Sequence, residues 1–131
     1  MRALIDTAVW FRRFHRMPMK PSLRRFLNED VDEFHLCPLS IAEISFRWQR
    51  GRLPSVPDPK QWLSESIDGY HFVNPTPAAC LRAGLWEWEH GDLVDRVLAA
   101  ISSDTGLVLV HTDIKLKNLT GFPQRYFPNA Q

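Results

Sequence analysis

Apolar and polar positions along the chain alternate between two rhythms. Ala3-Leu4-Ile5 is a short unbroken apolar run halted by Asp6-Thr7, the pattern of a strand buried on both faces. Residues 7–15 switch to a helical period, with Val9, Trp10, Phe11 and Phe14 on one stripe opposite Arg12 and Arg13. Pro18 and Pro21 end that helix and open a second over 22–29. Residues 34–37 predict another strand, and Pro38-Leu39-Ser40 leads into a helix over 41–50 that Gly51 terminates. A loop punctuated by Pro54, Pro57 and Pro59 separates it from a helix over 60–68 and a strand over 70–73. Further helices are expected over 77–87 and, opened by His90-Gly91-Asp92, over 92–103. After Gly106, Leu107-Val108-Leu109-Val110 is the most strand-like run of all and ends at Thr112-Asp113. The tail, with Pro123 and Pro128, shows no clear period.

Strands alternating with helices predict an α/β fold with a central, mostly parallel sheet. A length of 131 residues suits a single domain, 1–131, and an apolar fraction of 44% excludes a disordered chain. No uncharged apolar run approaches the roughly 20 residues of a membrane helix. The charged Arg2, Asp6, Arg12 and Arg13 do not read as a signal peptide, so a cytoplasmic location is expected. Cys37 and Cys80 lie in apolar surroundings without CxxC spacing and are expected to be small buried hydrophobes.

The formal charge of +1 conceals an asymmetry. Residues 1–60 carry a net +4 and residues 61–131 a net −3, with Arg12, Arg13, Arg16, Lys20, Arg24 and Arg25 clustered in the basic half. That cluster suits either a phosphate-attracting face or a solvated helical surface, and composition does not choose between them.

The acidic residues are more informative. Asp6 and Asp113 each follow an apolar strand, Glu43 falls in the first turn expected of the third helix, and Asp92 and Asp95 fall in the first turn of another. Strand ends and helix starts share one rim of an open parallel sheet, where ligands bind. Each residue alone has a structural explanation: Ser40-Ile41-Ala42-Glu43 fits a capping box, and the aspartates fit N-caps or helix-dipole partners. Together they suggest a cation site, because clustered carboxylates repel unless a cation compensates. Hard oxygen donors without cysteine or clustered histidine suit Mg²⁺ or Mn²⁺ rather than zinc. Such an ion activates water and neutralises charge on a phosphoryl oxygen, which is the chemistry of phosphodiester hydrolysis.

Four stretches in register resemble the PIN-domain family and, within it, the VapC-type toxins. Leu4-Ile5-Asp6-Thr7 with Val9-Trp10 is similar to the family's opening strand and helix, and Leu39-Ser40-Ile41-Ala42-Glu43-Ile44 to its S-x-x-E segment. His90-Gly91-Asp92-Leu93-Val94-Asp95-Arg96 is similar to its H-x-D-P-F-D-R helix, and Leu109-Val110-His111-Thr112-Asp113 to its last strand end. The resemblance implies a three-layer α/β/α domain acting as a Mg²⁺-dependent (or Mn²⁺-dependent) endoribonuclease. It also implies an RNA substrate, a cognate antitoxin partner and a homodimer. By motif position Asp6, Glu43, Asp95 and Asp113 form the site, with Asp6 and Asp95 as direct metal ligands. Glu43 and Asp113 hold ligating waters or a second ion, and Asp92 and Thr112 are possible additional members. Leu93-Val94 in place of Pro-Phe, and His111 where Ser or Thr is common, depart from the pattern without removing a carboxylate.

Two other functions compete: a catalytically silent PIN-like domain that binds RNA or protein, and a flavodoxin-like phosphoryl receiver. The second lacks an acidic pair closing the first strand. Trp10 is the tryptophan expected near the site or an antitoxin groove, and one of Trp86 and Trp88 is expected in the core with the other at an interface. His90 and His111 flank site residues and are read as structural histidines in preference to proton shuttles. Arg12 and Arg13 lean towards a solvated face, and Arg96 towards either a local salt bridge or an RNA contact.

Overall fold

A computed structural model describes residues 1–129. The elements run β1 (Arg2–Ile5), α1 (Thr7–Phe14), α2 (Pro21–Glu29), β2 (Glu33–Leu36), α3 (Pro38–Gln49), α4 (Pro59–Ser66), β3 (Tyr70–Phe72), α5 (Pro77–Leu85), α6 (Leu93–Thr105), β4 (Val108–His111), α7 (Ile114–Lys117) and β5 (Gln124–Tyr126). The five strands form one sheet in the order β3-β2-β1-β4-β5, with every pair parallel. Parallel neighbours require long crossovers, and the helices supply them on both faces. The 3-2-1-4-5 order differs from the 2-1-3-4-5 order of flavodoxin-like receivers, which removes that reading.

Alternation along the central strands builds two cores. Ala3 and Ile5 of β1 and Val110 of β4 point into one, with Val9, Trp10, Phe26, Ile44 and Trp62 from α1 to α4. Leu4 and Leu109 point into the other, with Ala83, Leu98, Ile101 and Leu116 from α5, α6 and α7. The result is a three-layer α/β/α arrangement, as the family resemblance implies, around the parallel sheet that the alternating pattern predicts. Gly106, with φ of 77°, takes the left-handed cap that ends α6 and turns the chain into β4. Among the described residues no helix is long and apolar enough to cross a membrane.

Several expectations are corrected. β5 and the short α7 have no counterpart in the sequence pattern: Gln124-Arg125-Tyr126 is a three-residue edge strand, too short and too polar to show period two. α5 ends at Leu85, because Trp86 leaves helical geometry with ψ of 130°. Trp86 and Trp88 therefore do not divide between core and interface: their rings stack with centroids 4.0 Å apart, and both pack half-buried near Phe122. Trp10 is 1% exposed, and its indole N–H donates to the Ser66 carbonyl, so it is a core residue rather than a rim residue. Cys37 is buried, but Cys80 is exposed, because Ala79 and Ala83 take the inward face of α5.

Candidate metal centre

The chain runs from β1 outward to β2 and β3, then returns across the sheet to β4 and β5, so the topological switch point lies between β1 and β4. Asp6 immediately follows β1, and Asp113 lies two residues past β4. The two strands are paired along their length, and the Asp6 N–H itself donates to the Val110 carbonyl. Adjacent strands thus deliver these two carboxyls to the crevice where this class of sheet binds ligands. A cleft of about 530 Å³ opens there, and Asp6, Thr7, Glu43, Asp92, Asp95, Thr112 and Asp113 all line it.

The aspartates also cap helices. Asp6 caps α1, one oxygen accepting from the Val9 N–H at 2.8 Å. Asp92 caps α6 through the Asp95 N–H, and Asp113 caps α7 through the Lys115 N–H. Each cap engages one carboxylate oxygen, leaving the second free for another partner. For Glu43 the capping explanation fails. α3 starts three residues earlier than the pattern suggests, with Pro38 in its first position and Cys37 before it. Ser40 is then inside the helix and fully buried, where its hydroxyl accepts from the Thr7 hydroxyl at 2.8 Å. Glu43 consequently sits in the second turn, and its carboxylate lies 3.4 Å from Arg47 one turn on. The Thr7–Ser40 bond ties the start of α1 to α3, and so fixes Asp6 against Glu43.

Burial and mutual repulsion shape the electrostatics. Burial pushes the Asp6 carboxyl up to about 8, and the charges of Asp95, Glu43 and Asp113 push the same way, against the Val9 N–H. Asp95 rises to about 6, again mainly by burial, with Asp92 and Asp113 adding and His90 opposing. Burial lowers the pKa of His111, whose Nε2 faces the Gln124 side chain at 2.7 Å while its Nδ1 accepts from the Asp113 N–H. A ring that accepts at Nδ1 is neutral there, so His111 is structural and orients the Asp113 backbone. These buried acids are the wrong environment for bare carboxylates and the right one for a cation: hard oxygen donors, low exposure and repulsion that a divalent charge relieves.

His90 enters this cluster from outside the pattern of acids. Its Nε2 is 2.9 Å from Asp95 Oδ2 and 3.4 Å from Asp113 Oδ2. His90 is delivered by an irregular segment that Arg96 braces. The Arg96 guanidinium is buried and donates to the carbonyls of Ala83, Gly84, Trp86, Trp88 and His90. Arg96 therefore makes neither the local salt bridge nor the outward contact weighed from sequence. Arg13 is likewise engaged in the fold, lying over the Phe34 ring at 4.1 Å and donating to the Tyr70 hydroxyl. Arg47 and Tyr126 line the cleft unanticipated. Arg47 has a legible signal, four residues from Glu43 on one helix face. Tyr126 has none, because β5 is invisible in the pattern.

The PIN domain family model matches residues 3–121. No curated protein is similar enough in sequence to count as a match. Among solved structures, VapBC2 from Rickettsia felis bound to a promoter DNA fragment is similar with a TM-score of 0.70 at 12% identity, over 96% of this chain and 98% of that one. DNA-bound VapBC from Salmonella typhimurium gives 0.68 at 15%, over 96% and 98%. A toxin–antitoxin complex from Klebsiella pneumoniae gives 0.66 at 14%, over 91% and 93%. At these identities the likeness is one of fold, and with the family match spanning nearly the whole sequence it leads to one statement: the chain belongs to the PIN-domain family.

Proposed function

We propose that this chain, as a single PIN domain, is a divalent-metal-dependent endoribonuclease that hydrolyses RNA phosphodiester bonds and serves as the toxin of a toxin–antitoxin pair in the cytoplasm. The observation that carries the reading is Asp6: a carboxyl buried at the switch point, raised to about 8 by burial and by three neighbouring acids. A fold does not gather like charges in a low-dielectric crevice for stability. Asp6 and Asp95 are the proposed direct ligands of Mg²⁺ or Mn²⁺, with Glu43 and Asp113 holding ligating waters or a second ion. Asp92 and Thr112 complete the rim. Bound there, the cation supplies a water of lowered pKa and offsets charge on the phosphoryl oxygens. Asp113 is held by its cap and by His111, Glu43 is held by the Thr7–Ser40 clamp, and Arg47 stands at the wall where a phosphate of the substrate enters.

The antitoxin partner is supported by apolar side chains beside the acids. Ile114, 55% exposed, lines the cleft, and Leu93, 63% exposed, opens α6 next to Asp92. A segment with an apolar face and one basic side chain complements that rim. A homodimer is part of the same proposal. The test uses purified protein and labelled RNA: cleavage should require Mg²⁺ or Mn²⁺, stop with EDTA and vanish in Asp6→Asn. Undiminished cleavage by that variant overturns the site.

A further inference from the structure

We propose that His90 is itself a ligand of the metal centre, donating Nε2 beside Asp95 and Asp113, and that this nitrogen biases the site towards transition ions such as Mn²⁺ over Mg²⁺. The inference rests on the metal-dependent reading above and deepens it by naming a donor that an all-carboxylate site lacks.

Three donor atoms from three separate segments converge: His90 Nε2, Asp95 Oδ2 at the start of α6 and an Asp113 oxygen after β4, all within 4.8 Å of one another. Cis ligands around an octahedral ion with bonds of about 2.1 Å stand about 3.0 Å apart. His90 Nε2 is 2.9 Å from one carboxylate oxygen and 3.4 Å from the other, so the nitrogen stands near cis-ligand spacing from both, and the two carboxylates lie on the same side of the cleft. Without an ion, Nε2 shares a hydrogen bond with Asp95; as a ligand the ring would carry its proton on Nδ1 and offer the Nε2 lone pair in place of that bond.

The placement of His90 is built. It belongs to no helix or strand, yet its side chain is only 11% exposed and its carbonyl accepts from Arg96 Nη1 at 3.0 Å. The same guanidinium holds four further carbonyls between Ala83 and Trp88, so the whole approach to His90 hangs on one buried cation. Trp86 and Trp88, whose carbonyls the same guanidinium holds, stack on each other earlier in the segment. Gly91 and Asp92 then turn directly into α6, whose first turn carries Asp95. A segment fixed at this density points an imidazole at two carboxylates for a purpose that solvent-facing loop residues do not serve.

The chemistry sets the ion. Mg²⁺ prefers oxygen and retains its waters, so it gains little from an imidazole, whereas affinity for nitrogen donors rises along the first transition row. The distinguishing measurement is Mn²⁺ bound to the full chain, read by pulsed electron paramagnetic resonance for imidazole ¹⁴N coupling and by calorimetry for affinity. Wild type should show the coupling. His90→Gln should lose it together with about 10-fold or more of Mn²⁺ affinity, the least that ligand-shell losses cost. Its Mg²⁺ affinity should change by less than about 3-fold. His90→Asp should recover tight binding without the coupling and level the two ions. Absence of nitrogen coupling in wild type, or its survival in His90→Gln, overturns the inference, and the wild-type spectrum decides even if the variants fail to fold. If metal-dependent RNA cleavage is intact while the coupling is missing, only the role of His90 falls. If neither ion binds and no RNA is cut, the metal-dependent reading falls with it.

Discussion

Replacing Asp6 by Asn should stabilise the metal-free protein while destroying its activity. A carboxyl whose folded-state pKa is raised binds its proton more tightly folded than unfolded, so stability falls as pH climbs from the unfolded value towards the folded one. For Asp6 that interval runs from 3.8 to about 8. Each pH unit within it costs the folded state about 1.4 kcal/mol, which makes the burden about 4 kcal/mol at pH 7 as an upper bound. Asn removes the charge and keeps what the backbone needs, since its side-chain oxygen caps a helix as well as that of Asp and can still accept from the Val9 N–H. Relaxation and the demands of the new amide group return part of the gain, leaving about 2–4 kcal/mol.

In a chain of this size each kcal/mol moves the midpoint by about 3–4 °C, so Asp6→Asn should melt roughly 6–15 °C higher than wild type at pH 7.5 in EDTA. The gap should close as pH is lowered to about 4, widen up to about pH 8 and stay constant above it. Mn²⁺ at 100 times its Kd should close most of the gap, because it adds about 2.7 kcal/mol to the protein that binds it. Thermal melts across pH 4–9, with and without Mn²⁺, test all three statements. A wild type as stable as the variant throughout pH 5–8 would refute the claim that Asp6 is a buried, repelled acid.

Three further outcomes follow from the same geometry. Arg96→Met should lower stability by about 3 kcal/mol or more in urea denaturation, because five carbonyls lose a charged donor at once; Arg96→Lys should recover only part of this, lacking the planar fork. Trp10→Phe should cost about 1–2 kcal/mol through the lost bond to Ser66 while leaving RNA cleavage and metal affinity within about 2-fold; a selective loss of RNA affinity would return Trp10 to the rim. Burial holds the pKa of His111 below 6.5, so the unfolded chain binds the extra proton and stability drops as pH falls below that value. His111→Gln should flatten that acid limb of the stability profile, and an unchanged limb assigns it to other groups.

The central fold was legible because its signals are dense. Strands buried on both faces read as unbroken apolar runs, and β1 and β4 have no other interpretation. The acids were legible for a related reason: the residue after a buried strand must leave the sheet at the rim, so Asp6 and Asp113 are placed by the strands themselves. What escaped depends on contacts distant in sequence. β5 is held by its pairing with β4 and by Ser102, whose hydroxyl meets the Pro123 carbonyl, and nothing within Gln124-Arg125-Tyr126 announces that. The arrangement of Trp86, Trp88 and His90 follows from Arg96, a residue whose local sequence suggested a surface charge. Glu43 lines the cleft, but from the second turn of its helix and not the first, since Pro38 starts α3 early and makes Ser40 a buried clamp in place of a cap.

In the structure, capping by these aspartates leaves room for the chemistry proposed above. Asp6, Asp92 and Asp113 each spend one oxygen on the backbone at the start of a helix, and the bond fixes the carboxylate plane so that the other oxygen has a defined direction. The same helix starts bring partial positive charge: α1 and α6, with eight and thirteen residues, point their N-termini at the cleft and offset some of the repulsion among the acids. Capping is thus how carboxylates that repel one another are held close at a tolerable cost in stability. It also makes the two roles separable by one atom. An Asn at any of these positions retains the oxygen that the helix needs and removes the charge that a cation needs, so Asn variants here should lose metal affinity while keeping their fold, whereas Ala variants should lose about 1 kcal/mol of stability in addition.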